Sequence, residues 1–174
     1  MPVLNLTDRE DAGFDPLPAG RYRASVYDAE ERYTGGGGKL PEGTAMIWIQ
    51  WKIEEPLFPY PEVGSEDDAG IKVPNWENKY QFSQNVVPPQ EINGEPYKNY
   101  KMMNGIIFRL LESLGYTEEQ LNSGSFELDY EDLKGREAAI TVSRYTYTDP
   151  DTGEKDIRNN VKGVKAAPAS SGVL

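Results

Sequence analysis

The chain has 174 residues and a net charge of −11, and it contains neither cysteine nor histidine. The lack of cysteine excludes disulfides, thiolate nucleophiles and sulfur-ligated metals, and the lack of histidine removes the commonest general base. Catalysis would have to rely on carboxylates alone. We therefore expect a protein that is not an enzyme and that uses no metal or cofactor.

The length predicts a single domain with a sizeable core. No apolar run reaches the roughly 20 residues that a membrane span needs, so no membrane partner is expected. The first residues, MPVLNLTDRED, lack the basic and apolar regions of a secretory signal. The expected location is therefore the cytoplasm.

The negative charge is unevenly distributed along the chain. Residues 19–52, 71–101 and 134–165 together hold 16 Lys and Arg against 12 Asp and Glu, whereas the other residues hold 2 against 17. The local field, rather than the total charge, decides where a polyanion can dock. A nucleic-acid partner is therefore not excluded, although acidic connections are also typical of ordinary solvated loops.

The N-terminal residues 1–18 are polar and contain proline, which predicts an extended arm. Alternating side chains then predict a first strand at 20–30. Its inner face would carry Tyr22, Ala24 and Val26, and its outer face Arg21, Arg23, Ser25 and Tyr27. The glycine run at 35–38, followed by Lys39, lacks the GK[ST] sequence of a phosphate loop, so we interpret it as a mobile hairpin tip.

The clearest alternation lies in TAMIWIQWKI, residues 44–53. One face of this strand would be a core wall and the other a mixed surface with a large aromatic side chain between polar ones. The core face holds Ile47, Ile49, Trp51 and Ile53, and the other face holds Met46, Trp48, Gln50 and Lys52. Trp48 is equally compatible with stacking on a ligand and with packing under a loop.

Residues 56–70 are acidic and rich in proline and glycine, which predicts a long surface loop. The third strand is predicted at 71–83, with Trp76, Tyr80 and Phe82 on one face and Lys79 on the other. A second proline-punctuated loop covers 85–99. Apolar rows spaced by four residues predict one main helix over about 97–114, and a short turn follows at 117–121.

Two further strands are predicted at 136–147 and 155–165, joined by the turn DPDTG. Three strands, a helix and two strands form the element order of an OB-fold. The expected fold is mainly β with one main α-helix, an OB-fold-like five-stranded Greek-key barrel with the helix between strands 3 and 4. This domain would span 19–166, between the arm at 1–18 and a disordered tail at 167–174.

Several stretches also resemble a family of small phage-encoded proteins that accompany replication and recombination genes. These stretches are PAGRYRASVYDAE, IWIQWKIEE, a helix closing in LLESLGY, DLKGREAAITVSRYTY, and NNVKGV after a turn. The resemblance covers roughly residues 20–164, and it implies single-stranded DNA binding on an OB-fold. For a phage-encoded protein the expected location is the host cell cytoplasm. Well-known bacterial single-strand-binding proteins end in an acidic tail with a terminal Pro-Phe that recruits partners. This chain ends in SSGVL, so the resemblance does not imply that a tail recruits partners.

The first hypothesis is a sequence-tolerant binder of single-stranded DNA for phage replication or recombination. Aromatic side chains would stack on bases, and Lys and Arg would neutralise phosphates. The predicted nucleic-acid-binding residues are Arg21, Arg23, Tyr27, Lys39, Trp48, Lys52, Trp76, Lys79, Arg144, Tyr145, Arg158 and Lys162. Replication or recombination proteins are further candidate partners, and a homo-oligomer stays open.

Two alternatives belong to other functional classes. The charge of −11 favours an acidic phage protein that inhibits a host factor by mimicking DNA, although the separation of the basic segments does not. A carboxylate enzyme, such as a nuclease or glycosidase, would need a fixed pair of Asp or Glu residues. The acidic clusters of this sequence lie in turns and loops, without a spacing that would fix such a pair.

Overall fold

The computed structural model describes residues 3, 16–57 and 79–168. These ranges contain seven strands and three helices. In chain order they are β1 (Gly20–Tyr33), β2 (Ala45–Pro56), β3 (Tyr80–Val86), β4 (Glu91–Ile92), β5 (Glu95–Pro96), α1 (Tyr100–Ser113), α2 (Glu118–Leu121), α3 (Tyr130–Leu133), β6 (Glu137–Thr148) and β7 (Lys155–Ala166). Among the described helices, none is long and apolar enough to cross a membrane.

Five strands form one antiparallel sheet in the order β3-β2-β1-β6-β7, and β4 pairs with β5 in a separate small hairpin. The prediction of a mainly β protein with few helices is thereby confirmed. The predicted barrel is not, because no ladder joins β3 to β7 in the described residues. The two edge strands nevertheless approach each other, since Gln81 Nε2 lies 3.5 Å from Asn159 Oδ1.

The bounds of the strands differ little from those that the sequence predicts. β1 and β2 each run three residues further than expected, and β6 and β7 end one residue later. Residues 71–78 of the predicted third strand lie outside the described residues. The sequence does not predict the β4–β5 hairpin or α3, because elements of two and four residues are too short to show a hydrophobic period.

The core lies on one face of the sheet, as the alternation in β2 predicts. Ile47, Ile49, Trp51 and Ile53 are all buried there, and α1 packs its last turns against the same side. Trp51 is fully buried, and its indole N–H donates to Ser83 Oγ on β3 at 2.8 Å. The ring therefore fills the core and also has a partner for its one polar group.

Residues before β1 are fixed against the open side of the sheet. Leu17 is 1 % exposed and belongs to the core cluster. The side chain of Asn159 accepts from the Leu17 amide at 2.8 Å and donates to the Leu17 carbonyl at 2.9 Å, and Arg144 Nε donates to the same carbonyl at 3.1 Å. One side chain of β6 and one of β7 thus provide hydrogen-bond partners for the amide and the carbonyl of a buried residue.

The C-terminal end of α1 is tied to α3 and β6 by one polar cluster. The Tyr116 hydroxyl donates to Asp132 Oδ2 at 2.8 Å, and Arg136 Nη2 donates to the same oxygen at 2.9 Å. Arg136 also donates to the Leu114 carbonyl at 3.1 Å. The hydrogen bond from Tyr116, followed by that from Arg136, lowers the pKa of Asp132, while burial raises the pKa of Tyr116 to about 12.

Substitution of Trp51 should destabilise the fold strongly. Trp51→Ala leaves a cavity in the core, so we expect the free energy of unfolding to fall by ~3–5 kcal/mol. Trp51→Phe keeps an aromatic ring and loses only part of the volume and the bond to Ser83, so its cost should be clearly smaller. Chemical denaturation of both variants checks the order, and equal costs would contradict the packing described for this ring.

The Asp132 cluster should make stability depend on pH on the acid side. A carboxyl whose pKa is lowered in the folded state contributes stability above its ordinary pKa of 3.8, and that contribution is lost as the pH falls through the lowered value. Asp132→Asn should therefore flatten the acid limb of stability against pH, and Tyr116→Phe should flatten it in part. Unchanged acid limbs in both variants would show that the cluster contributes nothing.

Candidate nucleic-acid interface

The candidate interface is the face of β1, β2 and β3 that points away from the core, here called the outer face. Residues that pair across neighbouring strands lie on the same face of a sheet. The register therefore brings side chains from all three strands together there. The outer-face rows are Ser25, Lys52 and Tyr80; Asp28, Gln50 and Phe82; Glu30, Trp48 and Gln84; and Arg32, Met46 and Val86.

A β-bulge at Tyr27 decides which side chains of β1 reach this face. Val26 pairs with Trp51 and Asp28 pairs with Gln50, so Tyr27 is the extra residue without a partner in the ladder. An extra residue shifts the alternation of everything that follows it. Residues 28, 30 and 32 consequently lie on the outer face, and Ala29 is buried on the core side.

Four aromatic rings lie on the outer face as two contacting pairs, here together called the aromatic cluster: Tyr27 with Tyr80, and Phe82 with Trp48. Tyr27 meets Tyr80 edge-on with 5.1 Å between ring centroids, and Phe82 stacks on Trp48 at 5.7 Å. Tyr27 is 56 % exposed and Phe82 is 55 % exposed. Large exposed apolar rings are unusual on a solvated sheet and are typical of binding surfaces.

Trp48 itself is covered by its neighbours. It is only 8 % exposed, yet it does not belong to the core cluster. Phe82 approaches it from β3, and the Arg32 guanidinium lies 3.9 Å from its ring centroid from the β1 side. Arg32 is in turn paired with Glu30. Trp48 is therefore covered by Phe82 and Arg32 on the outer face and not by the core.

The remaining predicted residues fall into two kinds. Some are held by structural contacts: Arg23 is ion-paired with Glu55 at 2.8 Å and with Glu137 at 3.6 Å, and Arg144 binds the carbonyls of Leu17 and Pro16. Others are exposed: Arg21 near the start of β1, Lys39 in the β1–β2 turn, and Tyr145, Arg158 and Lys162 on β6 and β7. Lys79 is half-buried beside β3.

The structure thus brings together three of the predicted residues, Tyr27, Trp48 and Lys52, on the outer face. On β6 and β7 Tyr145 pairs with Arg158, whose guanidinium lies 3.6 Å from the centroid of the Tyr147 ring. Trp76 lies outside the described residues.

The sequence analysis does not assign Arg32 or Phe82 to the site. The bulge at Tyr27 hides Arg32, because strict alternation from Tyr22 would place it on the core side. Phe82 shares a predicted face with Tyr80, but the sequence does not reveal that this face carries Trp48 from the neighbouring strand. An aromatic side chain two residues after Tyr80 is the only signal that could have identified it.

The outer face combines aromatic rings with cationic side chains. Among the described residues no group of three or more acidic side chains could hold a metal ion. No protein-family model matches the chain, and no curated protein matches it either.

Removal of Arg32 should uncover Trp48. Arg32→Ala takes away the guanidinium above the ring, so we expect stronger acrylamide quenching of tryptophan fluorescence and emission at longer wavelength. The matched control is Lys52→Ala, which removes a cation from the same face without touching Trp48. The added quenching should disappear when Arg32→Ala is combined with Trp48→Phe, and quenching equal to that of the wild type would show that Arg32 does not cover the ring.

Proposed function

We propose that this protein binds single-stranded DNA on the outer face, with little dependence on base sequence, and that it is not an enzyme. The observation that carries the proposal is the aromatic cluster on three neighbouring strands. Every base has a π-face, so the two exposed rings of the cluster, Tyr27 and Phe82, can take bases of any sequence. Each such stack contributes ~1–3 kcal/mol when measured by truncation.

The strand order supports an OB-fold-like architecture for this function. With β6 and β7 as the fourth and fifth strands, the order β3-β2-β1-β6-β7 is that of a five-stranded barrel opened between its third and fifth strands. The OB-fold is itself a partly open Greek-key barrel that binds oligonucleotides on the face of its second and third strands. Trp48 and Phe82 lie on the corresponding strands here.

The charges on the outer face are close to balanced, and this bears on the mechanism. Glu30 is paired with Arg32, and Asp28 lies 3.6 Å from the ammonium of Lys134, so both carboxylates are at least partly neutralised. Lys52, the cation of β2, is half-buried on the outer face and is then the candidate contact for a phosphate. We infer that stacking supplies most of the affinity and that phosphate contacts add a modest, salt-sensitive part.

The test of the proposed function is a titration of fluorescent oligo-dT at two salt concentrations. Tyr27→Ala should weaken binding by ~1–3 kcal/mol, because one stacking ring is lost, with little change in stability since that ring is exposed. Lys52→Ala should reduce the salt slope by about 0.7, the value for one phosphate contact on a single strand.

The matched control is Tyr33→Ala, which removes an equally exposed tyrosine of β1 whose register places it on the opposite face. It should bind like the wild type. Trp48→Ala is a less clean test, because Trp48 is mostly buried and its loss also disturbs packing. A wild-type protein that does not bind oligo-dT at low salt would overturn the proposal and favour the acidic inhibitor.

A further inference from the structure

A cleft opens where the sheet is not closed. It lies between β3, β7 and α1 and has a volume of about 660 Å³. Polar and aromatic side chains line its rim, namely Phe82, Gln84, Arg109, Tyr145, Asn160 and Lys162. The volume falls within the ~300–1,000 Å³ that is usual for ligand sites.

The charge of this cleft is opposite to that of the chain. The protein carries 29 Asp and Glu against 18 Lys and Arg, yet the described residues that line the cleft include two cations and no acidic side chain. Both cations, Arg109 and Lys162, are exposed. A concave wall of one sign of charge concentrates the local field and attracts ions of the opposite sign. The occupant that this cleft favours is therefore anionic.

The cleft is also continuous with the outer face. Phe82 stacks on Trp48 on the outer face and lines the cleft as well. On the other side of the cleft stands Tyr145, whose ring is 45 % exposed. A chain of bases that follows the aromatic cluster across β3 would therefore meet the cleft next. The amides of Gln84 and Asn160 can both donate and accept hydrogen bonds, as base edges require.

We propose that this cleft binds the continuation of the same DNA strand, so that the strand crosses the outer face, passes over Phe82 and places its next nucleotides in the cleft. Tyr145 and Phe82 contact bases there, and Arg109 and Lys162 contact phosphates. The inference rests on the proposed function, and it adds a second part of the binding site and a longer footprint. An acidic peptide would pair with the two cations but would not stack on Phe82 and Tyr145.

The experiment compares oligo-dT of increasing length across the roughly 4–16 nucleotides that one OB domain covers. The variant is Arg109→Ala combined with Lys162→Ala, and both side chains are exposed, so thermal unfolding should match the wild type. The shortest oligomers that the wild type binds should bind the variant equally well, because they fit on the outer face. Longer oligomers should bind about tenfold or more weakly, with a salt slope smaller by about 1.4.

The matched control is Lys165→Ala combined with Lys155→Ala, which removes the same charge from β7 at positions outside the cleft. The cleft variant could bind long oligomers as tightly as the wild type while Tyr27→Ala binds them more weakly. That result would overturn the proposed role of the cleft and would leave the proposed binding on the outer face intact. Equal weakening of the cleft and control variants would show a general charge effect and also overturn it. Failure of the wild type to bind any oligomer would overturn both proposals.

Discussion

Burial of one face of β2 is the constraint on which the rest of the structure depends. Trp51 and its isoleucine neighbours can leave water only if β2 stays in a single register, because a slip of one residue would exchange its two faces. β1 and β3 pair with β2 on its two sides, so the register of the sheet follows from this burial. The same register places Trp48 on the outer face.

The bulge at Tyr27 allows β1 to contribute side chains to the core before the bulge and to the outer face after it. Before the bulge, Tyr22, Ala24 and Val26 line the core, and after it Arg32 and Glu30 lie outside, against Trp48. Bulges redirect side chains at the cost of one unpaired residue, and they are frequent beside functional sites. Here the unpaired residue is itself an exposed aromatic, so the irregularity adds a ring to the outer face instead of only interrupting the ladder.

The opening between β3 and β7 bears on the packing of the core and on the proposed binding site. Leu17 fills part of the core on that side, and Asn159 holds the Leu17 main chain while it also contacts Gln81 across the opening. These contacts cover the core at a place where no ladder joins β3 to β7 in the described residues. The space between these strands forms the cleft, and none of the described residues that line it is acidic.

The sequence by itself determined the mainly β class, the positions of four strands, the main helix and the two faces of β2, because local alternation and helical spacing record which side chains are buried. Three features were decided only by tertiary structure. Pairing between distant strands placed Phe82 beside Trp48, the bulge brought Arg32 over that ring, and the unpaired edges of β3 and β7 left the cleft with Arg109 and Lys162. Each depends on residues far apart in the chain or on one shift in register, which a local pattern does not encode.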